Sequence, residues 1–151
     1  MAKNNMLHFH TNVFARPAEL ASGPSVQLRG EEFSTFAAPG GGPPVFDQPL
    51  PAKFEEIQQR LVQIPRMDIE PDGYFLVAGG EKEGRRWQID GHLFEYDGQM
   101  YRVEMHGSCS LDMLADLLGC FGTRDVVYQL VHEGVTLSAA DFQRFAELPA
   151  A

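Results

Sequence analysis

Cysteine is scarce in this chain: Cys109 and Cys120 are the only two among 151 residues. A disulfide framework is therefore excluded unless these two pair, and the segment between them reads as a helix. Along a straight helix, eleven residues rise roughly 16 Å. A disulfide needs Cα atoms within about 7 Å, so two free thiols are expected. Long apolar runs are also missing. No stretch approaches the ~18 consecutive apolar residues of a membrane span, and the opening Met1–His10 lacks the continuous apolar region of a signal peptide. A cytoplasmic protein that engages no membrane is expected.

Basic charge is short as well. Twelve Lys and Arg face twenty-one Asp and Glu, a formal net charge of −9 with a pI near 4.9. A field of that sign repels a phosphate backbone, so nucleic acid is not an expected partner. The acidity lies in residues 52–151, with nine basic and seventeen acidic side chains against three and four in residues 1–51.

What is present begins with an unusual N-terminal third. Residues 16–51 hold seven of the ten prolines and the triplet Gly40-Gly41-Gly42. Proline removes backbone donors and glycine favours the unfolded chain, which argues against long helices or central strands there. Yet Phe9, Phe14, Phe33, Phe36 and Phe46 stud the segment, too many large apolar groups for a solvated tail. The expectation is an extended Pro/Gly-rich arm, residues 1–51, whose phenylalanines dock on its own domain or on a partner.

Residues 52–151 read as a compact domain. Phe54, Ile57, Leu61 and Ile64 form one apolar stripe with Pro65 as a stop, an amphipathic helix. Pro71-Asp72-Gly73 turns into the strand Tyr74–Ala78. From Arg85 to His106, β-branched and aromatic residues alternate with polar ones around Asp97-Gly98, the signature of a tight hairpin. A two-residue turn pairs Tyr96 with Gln99, Phe94 with Tyr101 and His92 with Val103, with Gly91 absorbing a one-residue mismatch as a bulge. Ser110 caps a second helix, Val126–Val131 is a fourth strand, and Ser138 opens a last helix that Pro149 ends. The fold class is α+β: a three- to four-stranded, mainly antiparallel sheet with about three helices packed on one face, preceded by the arm.

Chemical motifs are thin. Cys109 precedes a predicted helix, whose N-terminal dipoles favour a thiolate, and His106 and His132 are potential bases. These define an alternative reading as a cysteine-dependent enzyme; the competing reading is a small buried residue at a strand–helix junction. His8-x-His10 places two imidazoles on one face of an extended segment, and His92, His106 and His132 lie in or beside strands. The short paired spacings of structural zinc are absent, so neither metal nor cofactor is expected. Asp72, Asp90 and Asp97, each before glycine, read as turn residues and not as a calcium loop. Gly79-Gly80-Glu81-Lys82-Glu83-Gly84 lacks the ending of a phosphate loop. Glu95 and Glu104, like Glu55 and Glu56, read as solvated. Arg85-Arg86-Trp87 is the basic-aromatic cluster, a candidate hot spot, although Trp87 also suits a core position.

The functional expectation is a non-catalytic protein-interaction or assembly module. It would bind a protein partner or itself through the arm (Phe9, Phe14, Phe33, Phe36, Phe46), the Arg85-Arg86-Trp87 cluster and the sheet surface. A small-ligand-binding domain is a further alternative.

Overall fold

A computed structural model describes residues 6–122 and 124–150. In chain order the elements are β1 (Leu7–Ala15), β2 (Ala21–Ser22), β3 (Val26–Leu28), β4 (Glu31–Phe33), β5 (Phe36–Ala37), α1 (Phe54–Val62), β6 (Asp68–Ile69), β7 (Tyr74–Gly79), β8 (Trp87–Tyr96), β9 (Gln99–Cys109), α2 (Leu111–Phe121), β10 (Val126–Leu130), β11 (Thr136–Leu137) and α3 (Ala139–Glu147). The class is α+β with three helices, but the sheet is seven-stranded and antiparallel, in the order β11-β10-β1-β9-β8-β7-β6. The expectation of three to four strands is corrected. The four strands read from the sequence are β7 to β10. The additions are β1 and two strands of two residues each, β6 and β11.

β1 is the consequential addition, because it takes a central place between β9 and β10. Its residues alternate: Leu7, Phe9, Thr11, Val13 and Ala15 are buried on one side, while His8, His10, Asn12 and Phe14 point to the other. Pro17 follows two residues after its end, so the proline-rich composition belongs to the next segment. That segment docks through β3 and β4, which pair with each other. Phe33 is fully buried against Phe145 of α3 at 6.1 Å between ring centres. The Arg29 guanidinium lies 4.0 Å over the Phe145 ring and donates to the carbonyls of Phe145, Leu148 and His8. Of the arm phenylalanines, Phe9 and Phe33 are buried, while Phe14, Phe36 and Phe46 are half-buried. Phe14 and Phe46 stack at 3.9 Å. These contacts lie within one chain; residues 1–5 of the expected arm fall outside the described residues.

The hairpin register also differs from its expectation. Asp97 and Gly98 both have positive φ (55° and 80°), as a two-residue turn of this kind requires, and Tyr96 pairs with Gln99. The next step inserts Tyr101 as an extra residue: Glu95 pairs with Met100, then Phe94 with Arg102. The bulge therefore lies at Tyr101 and not at Gly91, and Phe94 does not face Tyr101. Every side chain beyond it changes sides relative to the simple two-residue register. Leu93 turns inward with Val103 and Met105, and Phe94 turns outward beneath Arg102, whose guanidinium is 4.0 Å from its ring. Gly91 is glycine for a different reason. A Cβ there would sit 2.0 Å from Cζ of the buried Phe75 ring.

All three helices pack into one continuous core on one side of the sheet. Phe54, Ile57 and Leu61 come from α1, Leu114, Leu117, Leu118 and Phe121 from α2, and Phe142 and Phe145 from α3. Ser110 Oγ accepts from Met113 N at 3.2 Å and Ser138 Oγ from Asp141 N at 3.1 Å, capping α2 and α3 as their sequences suggest. No helix among the described residues is long and apolar enough to cross a membrane.

Candidate functional site

With the helices on one side, the other face of the sheet carries no helix among the described residues. Because strand side chains alternate, register determines what that face displays. At one end His8, Ser108, Gln88 and Ala78 lie side by side across β1, β9, β8 and β7. The next rank is His10, His106, Asp90 and Leu76. Then come Gln129, Asn12, Glu104, His92 and Tyr74. Val127, Phe14, Arg102 and Phe94 lie at the far end.

Four of the five histidines occupy this grid, and the fifth reaches it. His132 follows β10, and its ring lies 5.2 Å from that of His10. His10 in turn lies 5.1 Å from His106, and His92 stacks on Phe94 at 4.5 Å. His10 Nε2 is 2.8 Å from Glu104 Oε2. The hydrogen bond from His10 holds the Glu104 carboxyl below the ordinary carboxylate range. Asn12 Nδ2 donates to Gln129 Oε1 at 3.1 Å, whereas Asn12 Oδ1 is buried with no hydrogen-bond partner among the described residues. Cavities of about 420, 300 and 130 Å³ border the face. His8 lines the first two and His106 the last two.

The cysteine alternative is not assembled. Cys109 lies at 0% exposure on the helix-covered side, and burial pushes its thiol up to about 12. His106 and His132 are on the open side, against His10. Cys120 is also buried and free, its thiol pushed up to about 11 chiefly by burial. Folded protein at pH 8 should therefore react with iodoacetamide at neither cysteine, and at both after denaturation; fast selective labelling of Cys109 in the folded state would contradict this placement. The sign for stability follows. An unfolded thiol ionises near 9 and the folded Cys109 only near 12, so between those values the unfolded chain holds fewer protons and stability falls as pH rises.

Trp87 is half-buried, its ring lying against Gly79, where a Cβ would meet Cζ2 at 2.6 Å. Arg85 and Arg86 are exposed. Arg86 and Trp87 line the 420 Å³ cavity together with His8, so part of the basic-aromatic cluster adjoins the histidine face. Sequence reading missed the convergence of the histidines and the hydrogen-bonded role of Glu104. The signal was the even-numbered spacing of His8, His10 and Asn12, which needed β1 to be placed between β9 and β10. Compared with family models, with curated proteins and with solved structures, the chain matches none.

Proposed function

We propose that the protein is a non-catalytic binding module that engages a protein partner, or a second copy of itself, on the helix-free face of its sheet. The observation that carries this reading is the composition of that face. Helices and part of the N-terminal segment pack on one side, while the other presents Tyr74, His92, Phe94 and Arg102 beside a row of histidines and carboxylates. Aromatic and arginine side chains of this kind anchor protein interfaces. The arm phenylalanines pack within the chain, Phe9 and Phe33 buried and Phe14, Phe36 and Phe46 half-buried, and in this reading they support the sheet. The net charge of −9 favours a partner with basic groups and disfavours nucleic acid. Two buried thiols fit a reducing cytoplasm.

The test is affinity capture from native cells with three baits: the intact chain, a triple variant (Tyr74→Ala, His92→Ala, Phe94→Ala), and Val62→Ala on the helix side, a residue 52% exposed. A protein retained by the first and third baits, and reduced at least about tenfold by the triple variant, is the expected result. Equal retention by all three baits, with each chain monomeric, overturns the proposal.

A further inference from the structure

We infer that the recess between Tyr74, Asp90, His92, Glu104 and His106 on the open face receives an arginine side chain of the protein partner. This deepens the partner-binding proposal and rests on it. The recess holds about 130 Å³, and Gly91 completes its lining. The pairing register sets its four corners. Asp90 lies opposite His106 and His92 opposite Glu104, so the two carboxylates occupy one diagonal and the two imidazoles the other. Diagonal cross-strand positions stand about 7–8 Å apart, a spacing that lets two carboxylates flank one guanidinium. Tyr74, opposite His92 on β7, closes the outer side.

Two carboxylates by themselves would be a solvated pair; their surroundings make them a cation site. Asp90 and Glu104 are half-buried, and the hydrogen bond from His10 keeps Glu104 ionised, with Arg102 and His106 adding to the effect from further away. A carboxylate offers about four acceptor sites, and His10 takes one of them. Gln88 Nε2 donates to Asp90 Oδ1 at 3.0 Å and orients it. The Tyr74 phenol is raised above its ordinary value, by burial first and by the adjoining Asp90 charge next. Tyr74 and His92 supply an aromatic wall, their ring centres 6.4 Å apart at 63°, and stacking on Phe94 holds His92 in place. A guanidinium is planar, lies against aromatic faces and meets carboxylates with paired donors, whereas an ammonium is a compact, strongly hydrated point charge. Neither lysine nor arginine lines the recess among the described residues, and the Arg102 guanidinium is engaged on the Phe94 ring. The net charge of −9 draws a basic segment toward this face.

Titration of the isotope-labelled full chain with acetyl-Gly-Arg-Gly-amide, followed by nuclear magnetic resonance, should shift the amides of Tyr74, Gly91, His92 and Glu104 saturably, with a Kd in the millimolar range. The same peptide with citrulline, the neutral isostere of arginine, should bind at least about tenfold more weakly. That arm uses the intact chain and does not depend on how any variant folds. Asp90→Asn combined with Glu104→Gln should also weaken the arginine peptide at least about tenfold. Asp116→Asn combined with Glu147→Gln removes the same charge from exposed positions on α2 and α3. It should bind within about twofold of the intact chain, which separates the recess from the general acidic field. Circular dichroism melts check that both variants are folded. No saturable shift with the arginine peptide, equal affinity for the citrulline peptide, or equal losses in the two double variants overturns the inference. A partner captured on the open face with no arginine-peptide shift sinks the recess alone. The reverse outcome sinks the partner proposal while the recess still binds a guanidinium.

Discussion

A chain lacking residues 1–15 should yield no folded monomer. β1 is hydrogen-bonded along both edges, to β9 from Leu7 to Val13 and to β10 from Thr11 to Ala15. Removing it separates β10 and β11 from the rest of the sheet and exposes two long edges. It also takes Leu7, Phe9 and Val13 from the core. Each such side chain contributes roughly 1.5–3 kcal/mol when buried, against a total stability of about 5–15 kcal/mol for a domain. Circular dichroism and urea titration should show loss of the cooperative transition, with aggregation through the unpaired edges. A truncated chain that keeps a cooperative transition near that of the intact protein would mean that β1 is peripheral.

Phe142→Ala should be among the most destabilising single substitutions, costing about 3–5 kcal/mol. Its ring is fully buried, lies edge-on to Phe9 at 5.4 Å and stacks on Tyr128 at 4.7 Å. One side chain thus joins α3 to the two strands β1 and β10. Little can collapse into the space, because both neighbours belong to hydrogen-bonded strands. As a comparison, Tyr96→Ala at a position 75% exposed should change stability by no more than about 0.5 kcal/mol. Urea denaturation of the two variants measures the difference; similar midpoints would contradict the packing described here.

The helices were legible in the sequence because each carries its own punctuation. Pro65 follows α1, Ser110 and Ser138 cap α2 and α3, and the apolar stripes have helical spacing. Leu111 shows the limit of such reading, since it fits the stripe of α2 yet is 38% exposed. Asp97-Gly98 likewise locates its hairpin without tertiary information. Register was less legible. A one-residue bulge at Tyr101 carries no glycine or proline to mark it, and it moves the partner of Phe94 from the expected Tyr101 to Arg102. The composition of residues 16–51 concealed β1, although Leu7, Phe9, Thr11 and Val13 alternate with polar residues as a half-buried strand does. The two-residue strands β6 and β11 are too short to show a period.

The candidate site failed to appear for the same reason. His10 and His106 are ninety-six positions apart and meet only because β1 pairs with β9. His132 joins them only because β10 lies on the other side of β1. Cys109, in contrast, looked reactive from local sequence because helix dipoles are local, whereas its burial is a property of the assembled core. The open face, its histidines and the proposed binding role therefore depend on one structural claim, the central position of β1.

Native-state hydrogen exchange of the intact chain tests that claim most directly. Amides of β1 that are bonded to β9 or β10 should exchange as slowly as the slowest amides of β9, opening only with global unfolding. Fast exchange throughout residues 7–15, while β9 remains protected, would contradict the central strand and the face built around it.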